Sequence, residues 1–167
     1  SLISNTLRFD AVMKEKSLKQ VSNSTIALKK AHKQEYLELL KSLITTLNGE
    51  ERFGVEYYKK DINIFTKSDK IALCNDLLTW LDSQPNLSTG HLASIEIIVL
   101  SWTIISPANK EKVVHILFDK YLFKATDVNE IIGAGNFIQQ IKPKYKDYEP
   151  NFEQIKSRLE RETQPPL

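Results

Sequence analysis

Residues 92–105, which read LASIEIIVLSWTII, form the most apolar stretch of the chain and decide its fold. Glu96 is the only charged residue in the stretch, which ends at Ser106-Pro107, a pair typical of the start of a new helix. The stretch is too short to cross a bilayer, which needs about 20 apolar residues in a helix. Its β-branched residues would also suit a strand, but its length favours a helix. We therefore predict a buried helix at the centre of the core.

Helical spacing of apolar residues continues on both sides of this stretch. The chain has only 5 glycines and 6 prolines among its 167 residues and almost no hairpin signals, which argues against an all-β fold. Apolar residues recur at steps of three and four, which predicts amphipathic helices. These helices cover the neighbourhoods of residues 37–47, 55–65, 71–81, 113–122, 128–141 and 152–159. Asn48-Gly49 is expected to end the first of them, and Ser68-Asp69 to begin the third.

These patterns predict an all-α fold of about seven or eight helices. The helices from Lys70 onward are joined by short capped turns, so we expect neighbouring helices to be antiparallel. The helix pairs that begin near Lys70 and Pro107 are separated by about 40 residues, the period of HEAT and armadillo arrays. The sequence is thus compatible with helical hairpins stacked as a HEAT/armadillo-like right-handed array, or with a compact helical bundle.

The chain is expected to contain one main domain. Residues 1–23 are predicted to be a helical or partly ordered N-terminal segment, residues 24–162 a single helical domain, and residues 163–167 a flexible tail. The first residue is Ser1, and no signal or transit peptide follows it. We therefore expect the chain to be a piece of a larger protein.

Charge and cysteine content restrict the class of protein. Lysine and arginine total 23 and aspartate and glutamate 21, so the net charge is only +2, far from the basic excess of a dedicated nucleic-acid binder. The single cysteine, Cys74, excludes an internal disulfide and lies in an apolar helical pattern, where it is expected to be a small core residue. These features favour an intracellular location, in the cytoplasm or nucleus.

No catalytic or metal-binding motif is present in the sequence. The phosphate loop, the dinucleotide-binding glycines, the nucleophile elbow, the HExxH zinc motif and the EF-hand loop are all missing. The histidines His32, His91 and His115 lie far apart and do not form a metal-spaced pair, and His91 is expected to be a neutral surface residue. The sequence therefore predicts a protein that is not an enzyme, with no catalytic residues, no metal site and no cofactor.

Two clusters of lysine and tyrosine are the best candidates for a binding surface. They consist of Tyr57, Tyr58, Lys59 and Lys60, and of Lys142, Lys144, Tyr145, Lys146 and Tyr148. Lysine attracts phosphate and tyrosine offers a face for stacking, as in single-strand binding, but neighbouring acidic residues cancel much of the positive charge. Exposed tyrosine beside lysine is also common at protein interfaces.

We therefore expect a non-catalytic protein-interaction domain, of the scaffold or adaptor type. Its partner would be a peptide, a helix or a domain of a larger assembly, and no membrane contact is expected. The alternative is a helical nucleic-acid-binding domain. It would require convergence on one face of the following lysines: Lys29, Lys30, Lys33, Lys59, Lys60, Lys142, Lys144 and Lys146.

Overall fold

The computed structural model describes residues 26–122 and, individually, Asn136, Ser157 and Arg161. The chain divides into two compact units, residues 1–73 and 74–167. Residues 26–122 contain six α-helices and no strand, so the all-α prediction is confirmed for this part of the chain. The HEAT/armadillo-like stacking and the total of seven or eight helices stay predictions. The predicted helices over 128–141 and 152–159, and the boundaries at 23 and 163, lie outside residues 26–122.

The described part of the first unit is built from three helices and the start of a fourth. They are α1 (Ile26–Ala31), α2 (Lys33–Thr45), α3 (Glu51–Lys60) and α4 (Lys67–Ser83), with a 3-10 turn, Ile62–Ile64, between α3 and α4. The boundary between the two units falls within α4. The core of this unit consists of buried apolar and aromatic side chains from these elements: Tyr36, Leu37, Leu40, Ile44, Val55, Tyr57, Tyr58, Phe65 and Leu73.

Two glycines allow α2 and α3 to pack closely. Gly49 lies in the connection with a φ of 100°, a left-handed conformation that glycine adopts without the steric cost of a side chain. A Cβ at Gly54 would lie 2.9 Å from Cγ1 of Ile44 and 3.0 Å from its backbone nitrogen. Gly54 therefore sets the separation of the two helices. The predicted end of the helix at Asn48-Gly49 is close to the observed end of α2 at Thr45.

The start of α4 differs from the prediction by two residues. The helix begins at Lys67, and Thr66 and Asp69 exchange side-chain bonds with each other's backbone. The Thr66 N–H donates to Oδ2 of Asp69 at 2.9 Å, and the Asp69 N–H donates to Oγ1 of Thr66 at 3.1 Å. This reciprocal arrangement is a capping box, so Thr66, and not Ser68, caps the helix.

The described part of the second unit contains the rest of α4, a 3-10 turn (Thr89–His91), α5 (Leu92–Leu100) and α6 (Pro107–His115), which continues as a π-helix (Ile116–Leu122). Ser106 caps α6 as predicted, since its Oγ accepts the Asn109 N–H at 3.2 Å. The core is formed by side chains from all of these helices: Cys74, Leu77, Leu78, Leu81, Ile95, Ile97, Ile98, Trp102, Val113, Val114, Leu117, Phe118 and Tyr121.

Most of the apolar stretch over residues 92–105 is buried or half-buried, but its helix is shorter than predicted. Ile98 and Trp102 are buried as expected, whereas α5 ends at Leu100, whose side chain is 45% exposed. After this point the backbone bonds shorten to three-residue spacing, as between the Ser101 N–H and the Ile98 carbonyl. The stretch is thus a helix followed by a turn in which Trp102 and Ile105 are buried and Thr103 is exposed. Within residues 26–122, no helix has the length and apolarity needed to cross a membrane.

Candidate functional site: a basic groove above a buried ion pair

A lysine and an aspartate are paired inside the first unit. Lys29 is only 1% exposed, and its Nζ donates to Oδ2 of Asp61 at 3.1 Å. The Tyr36 hydroxyl donates to the same carboxylate oxygen. The ammonium also lies over two aromatic rings, 5.3 Å from the centroid of Tyr36 and 5.2 Å from that of Tyr57. Each buried charge therefore has the partners that burial demands.

Each member of this pair is positioned by a different part of the fold. Lys29 lies in the middle of α1, and Tyr36 lies in the first turn of α2. Asp61 directly follows α3, where its N–H donates to the Tyr57 carbonyl at 3.0 Å. The pair thus ties the short helix α1 to the end of α3. Because both charged groups are buried and paired with each other, this arrangement stabilises the position of α1 against the end of α3.

Sequence reasoning did not find this pair and grouped Lys29 with the surface lysines. The available signal was its spacing, since Lys29 lies three residues after Ile26 and seven before Tyr36, at a position compatible with the inner face of a helix. The carboxylate that makes its burial favourable lies 32 residues away along the chain. Local periodicity does not reveal such a partner.

The first predicted binding cluster is divided between the core and the surface. Tyr57 and Tyr58 are buried, so the expectation that these tyrosines are exposed is wrong. The ring of Tyr58 stacks on Phe65 with 5.6 Å between the centroids, and Tyr57 covers Lys29. Lys59 is half-buried and Lys60 is exposed.

The lysines of this cluster are thus more exposed than its tyrosines, and Nζ of Lys60 lies 5.6 Å from the centroid of the Tyr57 ring. The second cluster lies outside the described residues: Lys142, Lys144, Tyr145, Lys146 and Tyr148.

An open pocket of about 260 Å³ lies next to the buried pair. Its lining combines two aliphatic side chains, two lysines, a carboxylate and an amide: Ile26, Ile64, Lys30, Lys60, Asp61 and Asn63. Asp61 contributes little negative charge to this pocket, because Lys29 and Tyr36 hold its carboxylate from the inside. The pocket therefore has a net positive lining with apolar walls.

A second open pocket, of about 390 Å³, lies at the junction of α1 and α2. It is lined by the consecutive residues 30–35, so Lys30 belongs to both pockets. We call the two pockets together the basic groove. Lys30 makes no ion pair with another residue of the described range, whereas Lys33 pairs with Asp69 at 3.0 Å.

Asp69 is held firmly in its charged form beside this groove. Burial acts to raise the pKa of its carboxyl, but hydrogen bonds from the Thr66 N–H, Lys33, the Thr66 hydroxyl and Gln34 outweigh burial and lower the pKa from 3.8 to about 2. Gln34 Nε2 donates to its Oδ1 at 3.1 Å. The ion pair of Lys33 and Asp69 thus fixes the start of α2 against the start of α4.

Two reactive side chains of the second unit, Cys74 and His91, are buried. Burial raises the pKa of the Cys74 thiol to about 11, although the Ser101 hydroxyl acts in the opposite direction, so the thiol stays protonated. Burial also lowers the pKa of His91, whose ring stacks on Trp80 at 5.0 Å. His91 was expected on the surface and is instead buried, because this ring contact and the Ser88 N–H, which donates to its Nδ1 at 2.9 Å, hold it inside.

No group of three or more histidine, cysteine, aspartate or glutamate side chains that could hold a metal ion occurs in the described part of the chain. Comparison with protein-family models, with curated proteins and with solved structures finds no match to this chain.

Proposed function

We propose that this chain is a non-catalytic helical domain that binds another protein, within a larger intracellular protein. The observation that carries the proposal is the basic groove, which is open, amphipathic and rimmed by lysines on three helices of the first unit. A surface that mixes apolar walls with a few placed polar groups is typical of protein recognition. In a scaffold or adaptor role, this surface would be the one that contacts the partner.

The state of the reactive side chains favours binding over catalysis. The ammonium of Lys29 is paired, the thiol of Cys74 is protonated, and the imidazole of His91 is buried against Trp80. A nucleophile or general base needs access to substrate and a protonation state suited to neutral pH. These three residues lack one or both.

The positions of the lysines favour a protein over a nucleic acid as the partner. The alternative function requires many lysines on one face, but Lys29 is buried and Lys33 is paired with Asp69. With these two lysines engaged and a net charge of +2, few cations are left for contacts to successive phosphates.

Affinity purification from native extract, with and without nuclease treatment, tests this proposal. We expect a partner protein to be retained after nuclease treatment and to bind again when it is purified and mixed with the chain. Raising salt from low to physiological concentration should weaken that binding by less than about tenfold. A partner that is lost on nuclease treatment, together with oligonucleotide binding that falls by about 10³-fold over the same salt range, would contradict it.

A further inference from the structure

The ammonium of Lys29 is held by three residues that lie outside its own helix. Tyr36 belongs to α2, Tyr57 belongs to α3, and Asp61 directly follows α3. The centroids of the two rings lie 5.3 and 5.2 Å from the ammonium, and Oδ2 of Asp61 lies 3.1 Å from it. Aromatic faces combined with a carboxylate recognise cations. We call Tyr36, Tyr57 and Asp61 the lysine cage.

The lysine cage is supported by contacts that do not involve α1. The ring of Tyr36 packs against Phe65 with 5.8 Å between the centroids, and the ring of Tyr57 packs against Phe53 with 4.8 Å between them. The Asp61 N–H donates to the Tyr57 carbonyl at 3.0 Å. These contacts stay in place when α1 moves away, so we expect the cage to keep its shape.

The helix α1 is short and is anchored by its cation. It has only six residues, and Lys29 is the only one of them that is fully buried. A helix of this length is not stable on its own in water. An open pocket of about 260 Å³ leaves α1 incompletely packed against residues 60–64. The backbone of His32, with φ −118° and ψ 41°, departs from helical geometry, so His32 is the hinge between α1 and α2.

The charge around the cage changes when α1 leaves it. In the docked state Lys29 is paired with Asp61, and Lys30 and Lys60 line the pocket that Asp61 also lines. Withdrawal of α1 removes two of these three lysines and leaves Lys60 with Asp61, whose charges cancel. The Asp61 carboxylate then lacks the ammonium that burial demands. The vacated cage therefore favours another cation.

We propose that the lysine cage binds a lysine side chain of the partner protein, and that Lys29 occupies the cage when the partner is absent. This inference rests on the proposed function, since the partner supplies the lysine. Competition from Lys29 weakens the binding of a lysine presented alone, and a partner that also contacts the domain elsewhere overcomes this competition. The ligand is an unmodified lysine, because Oδ2 of Asp61 accepts an N–H that a trimethylated lysine lacks.

The test opens the cage with proline and leaves all of its residues unchanged. Ala27 and Ala31 are both exposed on α1. Ala31→Pro removes an N–H and clashes with the preceding turn, so it should unwind α1, whereas proline is tolerated in the first turn, which makes Ala27→Pro the matched control. Two peptides, acetyl-GGKGG-amide and acetyl-GGMGG-amide, are added to each isotope-labelled full chain, and the ring signals of Tyr36 and Tyr57 are followed.

The expected affinities follow from the fraction of molecules with an open cage. With about 1% of wild-type molecules open, the apparent affinity for the lysine peptide is reduced by that fraction. Ala31→Pro should therefore bind it on the order of 100-fold more tightly than the wild type, and Ala27→Pro should resemble the wild type. The methionine peptide should bind Ala31→Pro at least about tenfold more weakly than the lysine peptide, and adding Asp61→Asn to Ala31→Pro should weaken the lysine peptide to the same extent.

Equal affinity of the lysine peptide for the wild type, Ala27→Pro and Ala31→Pro would overturn the inference. Binding to Ala31→Pro that is unchanged by Asp61→Asn would overturn it as well. Loss of hydrogen-exchange protection in α2 and α3 of Ala31→Pro would also overturn it, because the cage would then not persist without α1. Failure of the proposed function is recognised separately, by loss of every protein partner after nuclease treatment, which leaves the peptide affinities unaffected.

Discussion

Replacement of Lys29 by methionine is expected to cause a large loss of stability in the first unit. Methionine keeps most of the aliphatic volume of lysine but removes the ammonium that lies 3.1 Å from Asp61. The Asp61 carboxylate would then stay buried without its counter-charge, although the Tyr36 hydroxyl would still donate to it. Breaking one side of a buried ion pair typically costs about 3–5 kcal/mol.

The total stability of a domain sets the scale of this loss. Typical domains unfold with about 5–15 kcal/mol, so Lys29→Met removes a large fraction of it. For a chain of this size, a loss of about 4 kcal/mol corresponds to a fall in Tm of about 8–16 °C. Lys30→Met on the same helix is the matched control, because Lys30 is exposed. Its effect should stay within about 0.5 kcal/mol.

Urea unfolding followed by circular dichroism measures this difference. Both tryptophans, Trp80 and Trp102, belong to the second unit, so their fluorescence does not report the first unit directly. Hydrogen exchange of the α2 and α3 backbone amides localises the effect. The double variant Lys29→Met/Asp61→Asn should recover about 2 kcal/mol relative to Lys29→Met, since it also removes the unpaired charge. Equal stabilities of Lys29→Met and Lys30→Met would refute the reasoning.

Perturbed pKa values give three further predictions. The thiol of Cys74 has a pKa of about 11, so it should resist a thiol reagent at pH 8 in the folded protein but react once the protein is unfolded in urea. Fast labelling of the folded protein would contradict the burial of Cys74. Burial lowers the pKa of His91 below 6.5, so the unfolded state binds the proton more readily than the folded state. The free energy of unfolding should therefore fall as the pH drops below about 6.5, and the fluorescence of Trp80, which stacks on His91, should report the unfolding. An equal fall in the His91→Phe variant would assign the pH dependence to another group. The pKa of Asp69 is lowered from 3.8 to about 2, so its contribution to stability is present above pH 3.8 and is lost as the pH falls toward 2. Asp69→Asn should therefore lower the free energy of unfolding by about 2 kcal/mol at neutral pH. A loss near zero in urea unfolding would contradict the hydrogen-bond network described around Asp69.

The helical class and several helix limits could be predicted because they depend on local signals. Apolar spacing indicated α2, α3 and α4, and the Ser106-Pro107 pair indicated the start of α6. These features are set by residues within one or two turns of each other. The start of α4 was predicted two residues too late, because Thr66 and Asp69 bond to each other's backbone N–H groups and so make Thr66 the cap instead of Ser68.

The candidate site was predicted only in part, because its features depend on contacts that are distant in the sequence. Lys60 is exposed and Lys59 is half-buried, but Tyr58 is held inside by Phe65, and Tyr57 covers Lys29. A pair of tyrosines next to two lysines has the same local pattern whether the rings point inward or outward. Only the tertiary partners distinguish the two cases.

Charge reversal in the basic groove is the most direct test of the claim that this domain binds a protein there. The Lys30→Glu/Lys60→Glu chain and a control with the same net charge, Lys67→Glu/Lys70→Glu, are each used to recover partner proteins from nuclease-treated extract. The control lysines lie at the start of α4 and outside the lining of the groove. We predict that the partner is retained by the wild type and by the control but lost from the groove variant. Equal retention by all three chains would contradict the account.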